Sequence, residues 1–217
     1  MNKNYKVFCI GLNKSGTTSL HLAFQKLGLK SVHFKDDNGN NIKDIIKNNS
    51  DNGYKLLNGI EHYDAYSDWN HPSTNILFKD LDKQYPNSKF ILNTRNLKDW
   101  LLSRENHVKR IKNLNELQKK YPKSPWYGID INAWKVEYHE HHNNVFDYFK
   151  GRESDLLVFD VTKSDEWNKL CDFLNLEIPK IKFPKTNTAT QFSLMNRVRR
   201  RLKKLLKTKT TNKNKRL

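Results

Sequence analysis

A short apolar run from Lys6 to Ile10, KVFCI, ends at Gly11, and a helical pattern begins only at Thr17. Gly11 and Gly16 bracket the turn between them, GLNKSG. Leu20, Ala23, Phe24 and Leu27 then recur at i, i+3, i+4 and i+7, and Gly28 closes the helix. A buried strand, a glycine turn and an amphipathic helix form an anion-binding junction. The turn and the helix start aim backbone N–H groups and a partial positive charge at one point. The G-x-x-x-x-G spacing is that of a Walker A loop, yet Thr17 stands where such a loop has its lysine. The lysine is upstream, at Lys14, and Thr17, Thr18 and Ser19 add hydroxyl donors.

The rest of the chain alternates in the same way. KSVHF (30–34), YDAYSD (63–68), KFILNTR (89–95) and DLLVFDV (155–161) read as further strands. Helices are expected as one or two turns around Ile42, Ile45 and Ile46, from Ser73 to Tyr85, after Leu97, and over SDEWNKLCDFL. A long helix is expected from Ile131 to Phe149, with Trp134, Tyr138, His141, Val145 and Phe149 on one face. Residues 105–128 carry no clear period, and the prolines of IPKIKFPKTN favour extended chain. This alternation predicts an α/β fold, a three-layer, mostly parallel sheet with a P-loop-type strand–loop–helix. Ligands of such sheets bind at the carboxyl ends of the strands, where Gly11, Asp68, Arg95 and Asp160 lie.

Two motifs carry a family resemblance. NKSGTTSL resembles the 5′-phosphosulfate loop of sulfotransferases that use 3′-phosphoadenosine 5′-phosphosulfate (PAPS). FILNTRNLKDWLLS resembles their second motif, a strand ending in Arg with Ser eight residues on, here Arg95 and Ser103. The resemblance covers about residues 5–188. It implies a sulfotransferase fold and sulfuryl transfer from PAPS to a hydroxyl or amine of a glycan, lipid or small molecule, releasing adenosine 3′,5′-bisphosphate (PAP). By the same resemblance Asn13, Lys14, Ser15, Gly16, Thr17, Thr18 and Ser19 bind the cofactor. Lys14 also meets the oxygen bridging to sulfur, and Arg95 and Ser103 take the 3′-phosphate. A guanidinium fork and a hydroxyl suit that dianion. The late R-K-G-x-x-G-x-x-K segment of the familiar cytosolic enzymes is absent, so no cofactor contact is carried over from it. For the general base the residues leave Asp68 first, then His71 and His33, with Asp64 and His62 nearby.

LLVFD also fits a Walker B strand ending at Asp160, so a P-loop kinase or NTPase is the alternative, and a non-catalytic anion- or nucleic-acid-binding protein is the second. YHEHH lacks the zincin spacing, since Asn143 stands where the second histidine belongs; no metal is expected. Charge divides the chain into a sulfotransferase domain, 1–190, and a basic amphipathic tail, 191–217. Residues 196–217 hold eleven Lys/Arg and no Asp/Glu, so only six of the seventeen net positive charges belong to the rest. The tail's stripe, Met195, Val198, Leu202 and Leu205, suits an anionic surface or polyanion. Without interleaved aromatics, nucleic acid is its weakest partner. Two cysteines, Cys9 and Cys171, and no run long enough to span a bilayer favour a cytoplasmic protein, with a membrane surface open to the tail.

Overall fold

The computed structural model describes residues 5–71, 74–122, 124, 126–163 and 166–186. The chain divides into two units, residues 1–184 and 185–217. The first holds the whole described sheet. The amphipathic stripe expected after Met195 lies outside the described residues.

Five strands form one parallel sheet: β1 (Val7–Cys9), β2 (Ser31–His33), β3 (Ala65–Ser67), β4 (Lys89–Thr94) and β5 (Leu156–Asp160), in spatial order β2-β3-β1-β4-β5. The α/β expectation is met. β1 is central and wholly buried, as a parallel strand covered on both faces must be. Alternate residues feed two layers. Val7, Cys9, Ala65, Ile91 and Phe159 pack on α1 (Thr17–Lys26) and on a late helix, Glu166–Leu174. Phe8, Ile10, Tyr66, Phe90 and Leu92 form the other layer, with α2 (Ile42–Asp51), α3 (Phe78–Gln84) and a long helix, Ile131–Phe149. Between α3 and that long helix come α4 (Leu97–Val108) and α5 (Leu114–Lys120). The long helix is therefore α6, and the late one, past a 3-10 turn at Glu153–Asp155, is α7.

Side-chain caps start three of these helices. Asn41 accepts from the N–H of Lys43, Asn96 from that of Lys98, and Asp130 from that of Ala133. α6 has the expected bounds, with Trp134, His141, Val145 and Phe149 buried. α2 is longer than its one or two expected turns. Its polar Asn49 is buried and donates to the carbonyls of Leu56 and Asn58, so an apparent loop residue anchors the helix end. α3 is shorter than expected, because Thr74 to Leu77 close as turns back to His71 and Thr74. Among the described residues no helix is long and apolar enough to cross a membrane.

Candidate active site

The glycine turn leaves β1 under tight steric control. A side chain at Gly11 would place its Cβ 1.8 Å from the carbonyl oxygen of Asn93 on β4, so only glycine passes there. Gly16, with φ of +93°, caps α1 in the left-handed region, and a Cβ there would meet Val161 at 2.3 Å. Side chains from other elements fix the turn between them. Asn93, buried in β4, accepts from Gly11 N–H at 3.0 Å and donates to Ser15 Oγ at 2.6 Å. Asn70 donates to the Gly11 carbonyl at 2.8 Å, and Trp100 of α4 to the Asn13 carbonyl at 2.9 Å. His141 of α6 donates Nε2–H to the Ile10 carbonyl at 2.6 Å, and burial pushes its pKa down from 6.5 to about 4.

This bracing turns the Ser15 hydroxyl inward, where it donates to the Leu12 carbonyl. The backbone N–H groups of Lys14, Ser15, Gly16 and Thr17 have no hydrogen-bond partner among the described residues. They form a nest of donors at the helix start. Lys14 has φ of +66° and Asp68, just past β3, has φ of +61°. Two non-glycine residues in the left-handed region at facing strand exits mark a conformation held by its surroundings.

The structure brings several of the expected residues together. Thr17 Oγ1 donates to Asp68 Oδ1 at 3.3 Å. His33 Nε2 lies 3.2 Å from Thr17 Oγ1, 3.5 Å from Thr18 Oγ1 and 3.6 Å from Asp68 Oδ2. Burial holds Lys14 below the usual lysine range; Asp68 opposes this, while Arg110 and Arg95 push the same way. Burial likewise lowers His33, against Asp68 and with Lys14. Ser19 is buried in the first turn of α1. Ser103 lies half-buried on α4, its hydroxyl without a partner among the described residues.

The remaining base candidates separate. His71 stacks on Trp126, ring centroids 5.8 Å apart. Asp64 accepts from Lys30 N–H, and the His62 ring lies tilted against Tyr63. Those two precede β3, at the amino-terminal end of the strands, opposite the end that carries the glycine turn. The Asp160 carboxylate accepts from both the N–H and the hydroxyl of Thr162, bracing its own turn. Among the described residues no group of three His, Cys, Asp or Glu could hold a metal ion.

Arg95 follows directly on β4, its backbone carbonyl held by Tyr138 at 2.8 Å. Its Nε is buried and has no hydrogen-bond partner among the described residues. Four residues invisible as site residues in the sequence complete the picture: Asn70, Asn93, Trp100 and His107. His107 Nδ1 lies 3.4 Å from Lys14 Nζ. Its one available signal was position, four residues after Ser103 and so on the same face of α4.

Residues 6–192 match the family model described as a sulfotransferase domain. The chain belongs to the sulfotransferase domain family. It is also similar to the Ava biosynthesis cluster protein M of Aspergillus versicolor, at 25% identity over 213 residues, covering 82% of this chain and 79% of that protein. The sulfotransferase match takes in the glycine turn, Asp68, Arg95 and Ser103 alike.

Proposed function

We propose that this chain is a PAPS-dependent sulfotransferase, transferring a sulfuryl group to a hydroxyl or amine and releasing PAP. The observation that carries the reading is the Arg95 Nε. A buried guanidinium N–H without a partner costs about 1–3 kcal/mol, and a phosphate dianion would satisfy it. The unpartnered N–H nest of the glycine turn fits a second anionic group, and Lys14 lies close enough to Arg95 to feel its charge. A nucleotide with separate 3′- and 5′-anions matches that pair better than a linear triphosphate does.

When bound, PAPS supplies the activated sulfuryl group. The residues have separable tasks. The nest, Thr17, Thr18 and Ser19 hold the 5′ end, and Arg95 and Ser103 hold the 3′-phosphate. Lys14 stabilises the charge that grows on the departing oxygen, an effect largest in a water-poor site. Asp68 takes the acceptor proton, its carboxylate kept in place by the Thr17 hydroxyl. None of these tasks calls for a metal ion. The sulfotransferase domain takes residues 1–190, and the tail, 191–217, meets an anionic surface or acceptor in the cytoplasm.

Thermal-shift titration of the full chain with PAP, 5′-AMP and ATP–Mg²⁺ tests this. PAP should stabilise it far more than 5′-AMP does, and Arg95→Ala should erase most of that difference, on the order of 2–5 kcal/mol. Equal stabilisation of the wild type by PAP and 5′-AMP would overturn the reading, and preference for ATP–Mg²⁺ would replace it with a phosphotransferase.

A further inference from the structure

His107 is a site histidine that none of the tasks above uses. It sits in the last turn of α4, half-buried, with Nδ1 3.4 Å from Lys14 Nζ. A lysine ammonium has three donors and no acceptor. Nδ1 must therefore accept, and the neutral ring then carries its proton on Nε2.

We propose that His107 is a positioning residue for Lys14: its unprotonated Nδ1 holds the ammonium at the glycine turn, and that contact occupies the lone pair Nδ1 would need to serve as a general base. The proposal rests on the PAPS reading for what Lys14 does once it is held.

The surroundings explain why Lys14 needs such a partner. A lysine side chain has a flexible four-carbon stem and loses much rotamer freedom when fixed, so a bare ammonium beside an anion is poorly aimed. The cations that reach it, Arg95 at the end of β4 and Arg110 just past α4, repel it. Asp68 attracts it from the exit of β3, but the Asp68 carboxylate is already engaged by Thr17 and lies beside His33 of β2. A neutral acceptor on α4 fixes the ammonium without neutralising it. The groups facing His107 itself are Lys14 from the turn, Asp68 from β3 and Arg110 near its own helix. Burial, then Lys14, disfavour the imidazolium; Asp68 opposes and Arg110 adds to the effect, so the ring is neutral at pH 7. On acidification through the histidine range the ring gains its second proton. The acceptor is then lost, and two cations face each other.

The first test is ¹⁵N NMR of the histidine rings in the full-length protein at pH 7, without ligand. The expected result is a bare Nδ1 and a protonated Nε2 at His107, with the preference relaxing in Lys14→Ala. A proton on Nδ1, or no response to Lys14→Ala, overturns the contact. The second test is PAP release from PAPS with water as acceptor. The bond from sulfur to the 5′-phosphate oxygen breaks, a bond from sulfur to water oxygen forms, and a water proton is lost to the base. His107→Ala should lower turnover about a hundredfold, the scale of a misplaced catalytic group, with PAP affinity within about threefold. His107→Asn, whose side-chain oxygen reaches the Nδ1 position, should restore about tenfold of that loss, while His107→Gln, which imitates Nε2, should not. Equal loss in Asn and Gln, or affinity falling as far as turnover, overturns the positioning role. A wild type that neither binds PAP nor releases it from PAPS would defeat the functional reading instead, and the NMR result would still decide the contact between His107 and Lys14.

Discussion

The glycine turn and the segment around α5 lie at opposite extremes of constraint. Residues 10–16 are gripped by side chains from β4, α4, α6 and the segment after β3, through Asn93, Trp100, His141 and Asn70. α5 buries no residue at all. Its Leu114 is only partly buried against the cluster of Leu12, Trp100 and Trp134, and Gln118 donates locally to the Tyr127 carbonyl, beside a ring contact between Tyr121 and Tyr127. A turn held like a core is ordered beforehand, so an anion bound there would not have to supply the entropy of ordering. A segment that buries no residue fully and reaches the core through partly buried contacts such as Leu114 opens at less cost and tolerates replacement, as regions that adapt to different ligands do. The same chain thus combines a fixed glycine turn with a lightly tied segment around α5.

The contrast breaks most readily at Gly11. Gly11→Ala must displace the β4 backbone, because its Cβ would meet a carbonyl oxygen and not a movable side-chain tip. The expected loss exceeds about 4 kcal/mol, read as the shift of the urea midpoint, the range of mutations that disturb buried backbone. A mild loss would mean that the turn yields as easily as α5.

A smaller effect should appear with pH. His141 binds its proton near pH 4 when folded and near 6.5 when unfolded. The unfolded chain is protonated first, so the stability due to the neutral, hydrogen-bonded ring is complete above pH 6.5. It falls between pH 6.5 and 4 and levels off below. The full span is about 3 kcal/mol. Urea midpoints from pH 7 to 4.5 should show this slope, and His141→Gln, whose amide can still donate to the Ile10 carbonyl, should remove its share while that of His21, lowered by burial to about 4 as well, remains. An unchanged slope in that variant would assign the acid sensitivity elsewhere.

The smallest effect belongs to α5. Glu116→Ala and Lys119→Ala on its exposed surface should each change stability by no more than about 0.5 kcal/mol and leave PAP affinity unaltered. A loss comparable to that of Gly11→Ala would show that α5 is tied to the fold through contacts its exposure hides.

The two regions also differed in how far the sequence disclosed them. Two glycines, a displaced lysine and a threonine pair announce an anion loop because each is required by backbone geometry or by charge. Arg95 and Ser103 were named through the resemblance of their motif to the family's, and the structure adds the unpartnered Arg95 Nε among the described residues. Asn93 was not, since an asparagine inside an apolar strand reads as a flaw until its partners across the sheet are known. Trp100 reads as core, which it is; only its indole N–H reveals the second task. α2 was underestimated because asparagine opposes helices locally, whereas here Asn41 caps the helix and buried Asn49 anchors its end. Residues 105–128 had no period to read because α5 has no buried face to impose one.

Trp100 carries one more consequence. The indole that donates to the Asn13 carbonyl is a fluorophore wired to the glycine turn, and Trp126, stacked on His71, is a second one in the segment around α5. Arg104 lies against both rings, its guanidinium 5.2 Å from Trp100 and 5.3 Å from Trp126. Indole emission shifts with the polarity around the N–H, and a protonated imidazole quenches it where a neutral one does not. The molecule therefore carries a label-free optical readout of both regions: a spectral shift for events at the turn, and pH-dependent quenching for the state of that segment.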